Sequence, residues 1–239
     1  MTVYREFAQI YDLIYQAQGK DYEKEACRLH AIVHHYKQSP GNALLDVACG
    51  TGEHLRYLRR FYTVEGLDSS ATMLAVARRK LPDVLFHKGD MRDFDLGRRF
   101  DAIVCLFGSI GYVADEEGLH RAIACMAAHL HPGGVLVIEP WIYPQNFRHG
   151  ATHAVLVDEP DMKVARVSVA RRKGDCSEIE FHFLIATPAG VRHFVEHHLL
   201  GLFAPEQYVR AFERHGLELK PVDENAWPRG DLFVGVRSL

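Results

Sequence analysis

The chain has 239 residues, 48% hydrophobic and 25% charged, which is enough for one large globular domain with an ordinary core. A formal net charge of −3 leaves no basic surplus for neutralising phosphates along a duplex, so nucleic acid is excluded as an expected partner. No segment reaches the roughly 18 to 20 consecutive apolar residues that span a bilayer, and Met1 to Lys20 carries Arg5, Glu6 and Asp12 where a signal peptide would be apolar; the expectation is a soluble, cytoplasmic protein with no membrane partner.

In chain order, Asp21 to Tyr36 spaces Ala26, Leu29, Ile32, Val33 and Tyr36 along one helical face and stops before Ser39-Pro40-Gly41. The run Ala43 to Ala48, apolar except for Asp46, predicts a buried central parallel strand. Cys49-Gly50-Thr51-Gly52 turns into a helix over Glu53 to Phe61, followed by a strand at Thr63 to Leu67, a helix at Ser70 to Lys80 and a strand at Val84 to His87. A strand at Phe100 to Phe107 precedes a helix from about Glu116 to Leu130, which closes on His131-Pro132-Gly133-Gly134 before a strand at Val135 to Glu139. Five strands in βα alternation imply a parallel sheet covered on both faces, a doubly wound α/β fold.

Val155 to Leu202 instead alternates polar and apolar residues, with Lys163, Ala165, Val167 and Val169 followed by Glu178, Glu180, His182 and Leu184, and with turns at Lys173-Gly174-Asp175 and Pro188-Ala189-Gly190. This pattern predicts an antiparallel meander. Pro205 to His215 resumes a helix, with Gly216 just past its end, and Asp231 to Arg237 reads as a last strand. Because the α/β pattern returns, the meander, at about 151–202, is expected as an insertion in a single domain spanning 1–239.

The candidate chemistry begins where Asp46-Val47-Ala48-Cys49-Gly50-Thr51-Gly52 leaves a strand for a helix, since glycines let a backbone turn sharply and approach a ligand. A dinucleotide fingerprint needs a third glycine three residues beyond Gly52, where this chain has Leu55. Asp68 lies 22 positions after Asp46, where a carboxylate accepts both hydroxyls of a ribose, although it would equally serve as a helix N-cap. Met73 and Leu74 follow, placed to pack an adenine face, and Asp90 with Met91 offers an acceptor for the adenine amine beside a thioether, or simply a loop turn. The five cysteines are scattered and suggest neither a disulfide framework nor zinc. His193 and His197 share a strand face, yet no carboxylate at ligand spacing accompanies them, so no metal is expected.

Asp46 to Gly52, Gly66-Leu67-Asp68-Ser69-Ser70 with Met73-Leu74, Gly89-Asp90-Met91-Arg92-Asp93-Phe94, and His131 through Trp141 together resemble the ordered motifs of class I S-adenosylmethionine-dependent methyltransferases. More narrowly, the chain resembles the bacterial N,N-dimethyltransferases that complete antibiotic amino sugars such as desosamine and mycaminose on nucleotide-linked precursors. Tyr11-Asp12-Leu13, Gly19-Lys20-Asp21-Tyr22, Ser109-Ile110-Gly111-Tyr112, Glu139-Pro140-Trp141 and Leu232 to Val236 extend the similarity nearly end to end.

The resemblance implies a Rossmann-like seven-stranded sheet, S-adenosyl-L-methionine as cofactor, a nucleotide-linked amino sugar as substrate and a homodimer. It assigns Tyr11, Tyr22, Asp46, Ala48, Gly50, Gly52, Asp68, Ser69, Met73, Asp90, Met91 and Leu106 to the cofactor, although Tyr11 and Tyr22 also read as amphipathic helix packing. Tyr112 is expected to position the substrate amine, with Tyr4 lining the same pocket. Three departures fall around that pocket: Phe107-Gly108-Ser109 replaces Phe-Ser-Ser, Ile142-Tyr143 replaces Trp-Phe, and Glu224 to Asp231 replaces a glycine-rich stretch. The strand exit after Cys105 lacks the Pro-Pro-aromatic motif of methyltransferases that act on nucleobase or amide nitrogen. Two other readings stand beside this one, a small-molecule O-methyltransferase and a non-catalytic S-adenosylmethionine-binding protein.

Overall fold

The computed structural model describes residues 7–223, 226–228 and 230–239. A short 3-10 turn at Phe7–Gln9 leads into α1 (Tyr11–Ala17) and α2 (Tyr22–Tyr36), and β1 (Ala43–Val47) follows. Leu44 to Val47 are all buried with no polar alternation, as a strand needs when it is covered on both faces and paired at both edges. The chain continues through α3 (Glu53–Leu58), β2 (Thr63–Asp68), α4 (Ala71–Lys80), β3 (Leu85–Lys88), β4 (Phe100–Cys105), a 3-10 turn at Ser109–Val113, α5 (Glu116–Ala128) and β5 (Leu130–Ile138).

Four long strands come next, β6 (Ala151–Glu159), β7 (Met162–Lys173), β8 (Cys176–Thr187) and β9 (Gly190–Gly201). α6 (Pro205–Arg214), β10 (Leu217–Lys220) and β11 (Phe233–Arg237) close the chain.

Among the described residues, the main sheet has seven strands in the order β10-β11-β5-β4-β1-β2-β3. β1 to β5 pair in parallel, while β11 runs antiparallel to both β5 and β10. Side chains alternate between its two faces. Leu44, Ala102, Val104, Val135 and Val137 pack with residues of α2, α3 and α4, whereas Leu45, Val47, Ile103, Leu136 and Ile138 pack with residues of α5 and α6. Strand order reverses at β1, which has β4 on one side and β2 on the other, and the crevice beyond their carboxyl ends is where open α/β sheets bind ligands.

Several boundaries differ from the sequence reading. β5 starts at Leu130, because Leu130 pairs with Phe100 and Val135 with Ala102 while Pro132-Gly133-Gly134 bulges between them. β4 ends at Cys105, two residues early, since Phe107 has φ 60°. The short strand β10 escapes the pattern because Leu217-Glu218-Leu219-Lys220 supplies only two apolar residues, and its place in the sheet comes from pairing with β11.

β6 to β9 form a separate antiparallel sheet in which each strand pairs with the next. Its inner face presents Val155, Val157, Val164, Phe183 and Ile185 to Ile10 and Ile14 at α1. Trp141, just beyond β5, donates its indole N–H to Ser177 Oγ of β8 at 3.0 Å. The second sheet and α1 are thereby fastened over the carboxyl-end crevice of the first.

Candidate active site

The glycine-containing turn after β1 adopts left-handed backbone at Ala48 (φ 60°), Gly50 (φ 56°) and Gly52 (φ 78°). Such a conformation at Ala48 costs energy that the surroundings must offset. Gly66 on β2 allows the turn to lie close, because a Cβ there would stand 2.8 Å from Cys49 Sγ and from the Phe86 ring. Cys49 N–H bonds to Leu67 O at 3.0 Å, and the Asp68 carboxylate accepts from Gly50 N–H at 2.8 Å and Ser70 N–H at 2.7 Å. Asp68 is therefore not the N-cap of α4; Ser70 is, through Met73 N–H.

Tyr11, Tyr22, Asp46, Ala48, Gly50 and Leu106 meet around a small cavity at this turn. Asp46 is buried, and burial, reinforced by the nearby Asp68 charge, raises its carboxyl well above the ordinary aspartate range. Burial also raises Asp68, against the two backbone N–H groups that lower it. Asp46 Oδ2 and the Tyr22 hydroxyl are buried and lack hydrogen-bond partners among the described residues. An acceptor and a donor left unsatisfied in one cavity match the ammonium and carboxylate of an amino-acid tail. The Asp68 carboxylate keeps further lone pairs beyond its two backbone bonds, as a pair of ribose hydroxyls requires.

Met73 is buried against the turn, its Cε 3.5 Å from where a Gly50 Cβ would stand. Leu74, expected beside it at an adenine face, lies instead wholly inside the helix–sheet core. Gly52 does not line the cavity; it opens α3 and packs toward Leu81 and Phe86. Ser69 is exposed, and Met91 is partly buried against the α5 side of the core. The Asp90 carboxylate pairs with Arg92 at 2.6 Å, and that hydrogen bond holds it below the usual carboxylate range. Tyr4, Glu224, Asn225 and Arg229 lie outside the described residues.

α1 is tied down over the turn. Asp12 accepts from Thr51 Oγ1 at 2.5 Å and pairs with Lys80 at 2.6 Å, and Lys80 also reaches Glu53 at 2.5 Å. Beneath the entry to α2, Glu25 bonds Lys20 and His54, both at 2.7 Å, with all three side chains at most 9% exposed. The His54 ring stands 5.0 Å from that of Tyr22, and Lys20 Nζ lies 3.9 Å from the Phe107 ring centroid.

A much larger cleft of about 1290 Å³ opens between the sheets and shares Tyr11, Phe107 and Ser109 with the small cavity. Tyr112, from the turn after β4, lines this cleft and makes a 2.5 Å hydrogen bond with His198 Nδ1. Gly108 has φ 69°, and a Cβ there would stand 2.7 Å from Trp141 Cε3, so the departure from Phe-Ser-Ser accommodates the indole that walls the cleft. Glu139, also buried, accepts from Phe107 N–H at 2.7 Å and braces the same turn.

Sequence reasoning missed Arg166. It is buried on the inner face of β7, lines the cleft over the rings of Tyr15 and Phe181, and has an Nη1 without a partner among the described residues. Its signal was parity, because Arg166 alternates in phase with buried Val164 and Ser168. Among the described residues, no cluster of three metal-ligating side chains is present and no helix is long and apolar enough to cross a membrane.

A model of the methyltransferase domain matches residues 44–134, which contain the turn, Asp68 and Asp90. The dTDP-3-amino-3,6-dideoxy-alpha-D-glucopyranose N,N-dimethyltransferase of Streptomyces fradiae is 48% identical over 97% of this chain and 91% of its own. The chain belongs to the amino-sugar N,N-dimethyltransferases. Saccharopolyspora spinosa supplies a further relative of this family, a dTDP-4-amino-2,3,4,6-tetradeoxy-D-glucose N,N-dimethyltransferase, 39% identical over 97% of this chain and 92% of its own. The crystal structure of Streptomyces venezuelae DesVI superposes with a TM-score of 0.90 at 44% identity, covering 98% of this chain and 99% of that one. An amino pentose methyltransferase from Micromonospora echinaspora, solved with S-adenosylmethionine bound and involved in calicheamicin biosynthesis, superposes with a TM-score of 0.85 at 40% identity, covering 96% of this chain and 97% of that one. This amino-sugar N,N-dimethyltransferase is accordingly an S-adenosylmethionine-dependent enzyme on a Rossmann-like seven-stranded sheet with an antiparallel β meander.

Proposed function

We propose that the enzyme transfers two methyl groups in succession to the amine of a dTDP-linked 3-amino deoxysugar. The observation that carries this reading is the cleft, which has room for a nucleotide sugar, a phenol beside the cofactor turn and a buried guanidinium with an unsatisfied N–H. The 48% identity to an enzyme named for a 3-amino sugar favours that position over the 4-amino alternative.

S-adenosylmethionine supplies a methyl group already activated on a sulfonium. Tyr11, Tyr22, Asp46, Ala48 and Gly50 hold its amino-acid end, Asp68 and Ser69 its ribose, and Met73, Asp90, Met91 and Leu106 flank its adenosine. The protein then has to align the acceptor and keep the site dry, which is work for α1 and for the wall formed by Phe107 and Trp141. Tyr112 holds the acceptor nitrogen by hydrogen bonding. An aliphatic amine has a pKa near ~10.4 in water and arrives protonated, so it must lose a proton before its lone pair can attack.

Arg166 faces the diphosphate, whose charge a planar guanidinium matches through paired N–H donors. Arg166→Met is expected to raise KM for the nucleotide sugar at least ~10-fold, with KM for S-adenosylmethionine unchanged. Equal sugar KM values in the two proteins would remove Arg166 from the diphosphate site.

The chain works as one domain with β6 to β9 inserted, in the cytoplasm, among steps that finish antibiotic sugars. It pairs as a homodimer through the outer face of the second sheet, where Leu156, Val167, Leu184, Val191 and Leu199 are exposed. The test of function is transfer of labelled methyl to dTDP-linked 3-amino and 4-amino deoxysugars and to hydroxyl-bearing analogues, with methyl groups counted by mass spectrometry. Two methyls on the 3-amino sugar are expected; transfer confined to hydroxyl acceptors would overturn the N-methyltransferase reading.

A further inference from the structure

Tyr112 Oη lies 2.5 Å from His198 Nδ1, and His198 Nε2 lies 3.2 Å from Glu196 Oε2. Tyr112 and His198 both line the cleft, yet the His198 side chain is only 1% exposed and that of Glu196, behind it, 9%. It bridges two elements remote in sequence, the turn after β4 and strand β9.

The tautomer follows from valence. The Glu196 carboxylate only accepts, so Nε2 carries the hydrogen; Nδ1 is then a lone pair, and the Tyr112 hydroxyl donates to it. Among the described residues, His198 also faces the Phe181 ring, edge-on at 5.0 Å, with the Arg166 guanidinium beyond it, 5.1 Å from the Phe181 centroid. A tyrosine that only needed to be held could be held by any acceptor. An imidazole backed by a nearly buried carboxylate can also take up a proton, because Glu196 offsets the imidazolium charge.

Resting on the reading of the cleft as an amine site, we propose that Tyr112, His198 and Glu196 form a relay that removes the proton from the acceptor ammonium. The ammonium N–H bond breaks and its proton passes to Tyr112 Oη as the Tyr112 proton passes to His198 Nδ1. The nitrogen keeps the electron pair with which it attacks, and the imidazolium donates through Nε2 to Glu196. After the product leaves, the proton returns to water by the same route. The second methylation repeats the step, since the secondary ammonium formed first again carries the proton to be lost. Tyr112 is the catalytic residue of the three; His198 and Glu196 act through it.

The test compares kcat and KM for the dTDP-linked 3-amino sugar across roughly pH 6 to 10 in the wild type, Tyr112→Phe, His198→Gln and Glu196→Gln. Near pH 7.5, His198→Gln is expected to lower kcat about 100-fold and Glu196→Gln about 10-fold, with KM and S-adenosylmethionine affinity unchanged. The deficit should shrink to within about 3-fold near pH 10, where the amine is neutral without help. A loss that is the same at every pH in either variant, or no loss, overturns the relay while leaving the acceptor reading intact. Absence of transfer to any nucleotide-linked amino sugar by the wild type overturns both. Circular dichroism and cofactor binding establish that each variant is folded, and Glu196→Gln answers the question if His198→Gln is not.

Discussion

Asp68→Asn is expected to weaken S-adenosylmethionine binding by about 100-fold and to lower the melting midpoint of the free enzyme by several degrees. The carboxylate already accepts from Gly50 and Ser70 N–H, one on each oxygen. Asparagine preserves the volume but must turn an NH₂ toward one of those N–H groups, leaving two donors face to face in a site that is 9% exposed. Hydrogen bonds to a charged group are worth about 1.5 to 3 kcal/mol each, and the two bonds proposed to the ribose would be lost only in part, which gives the ~100-fold. Calorimetric titration and a thermal scan separate the two effects. Unchanged affinity in a destabilised protein would confine Asp68 to bracing the turn.

Glu25→Ala is expected to destabilise the fold by about 3 to 5 kcal/mol at neutral pH, because it removes the carboxylate that Lys20 and His54 share among side chains at most 9% exposed. The pH dependence has a definite sign. Burial raises the Glu25 carboxyl, but the hydrogen bond and charge of His54, together with Lys20, outweigh it and hold the group below its ordinary value. A carboxylate depressed in the folded state contributes stability that is present above the unfolded value of about 4.3 and is lost as pH falls through the lower folded value. Urea unfolding at neutral pH should show the full difference, and melting midpoints of wild type and variant should converge as pH drops below about 4. A gap that persists in acid would mean that the loss comes from packing and not from charge. Because Lys20 and His54 flank Phe107 and Tyr22, the same substitution should also weaken cofactor binding.

Much of the fold was legible because local signals agreed with tertiary demands. The polar interruption at Asp46 in an apolar run, the glycines after it and the acid 22 residues on marked a strand-to-helix turn with two carboxylates, and Asp46 and Asp68 both stand at that turn in three dimensions. The meander was visible in its alternation, but which face pointed inward was not. Ala165, Val167, His182 and Leu184, the residues that catch the eye, share the face on which Val167 and Leu184 are exposed, while Arg166, Ser168, Glu196 and His198 turn toward the cleft. A one-residue change of phase exchanges the faces of a strand, and only the body against which the sheet packs selects between them.

The primary structure alone determined the succession of strands and helices apart from α1 and β10, the glycine-containing turn after β1 and the family, since these depend on periodicity, glycine placement and short motifs that act over a few residues. Tertiary structure decided that Gly52, at the start of α3, packs toward Leu81 and Phe86 and that Leu74 lies in the helix–sheet core, both away from the small cavity lining. It also decided that Tyr112 meets His198, 86 positions away, and that Arg166 is buried with an unsatisfied donor at the cleft. Contacts of that separation are set by how two sheets close over a common crevice, and no window of neighbouring residues carries that information.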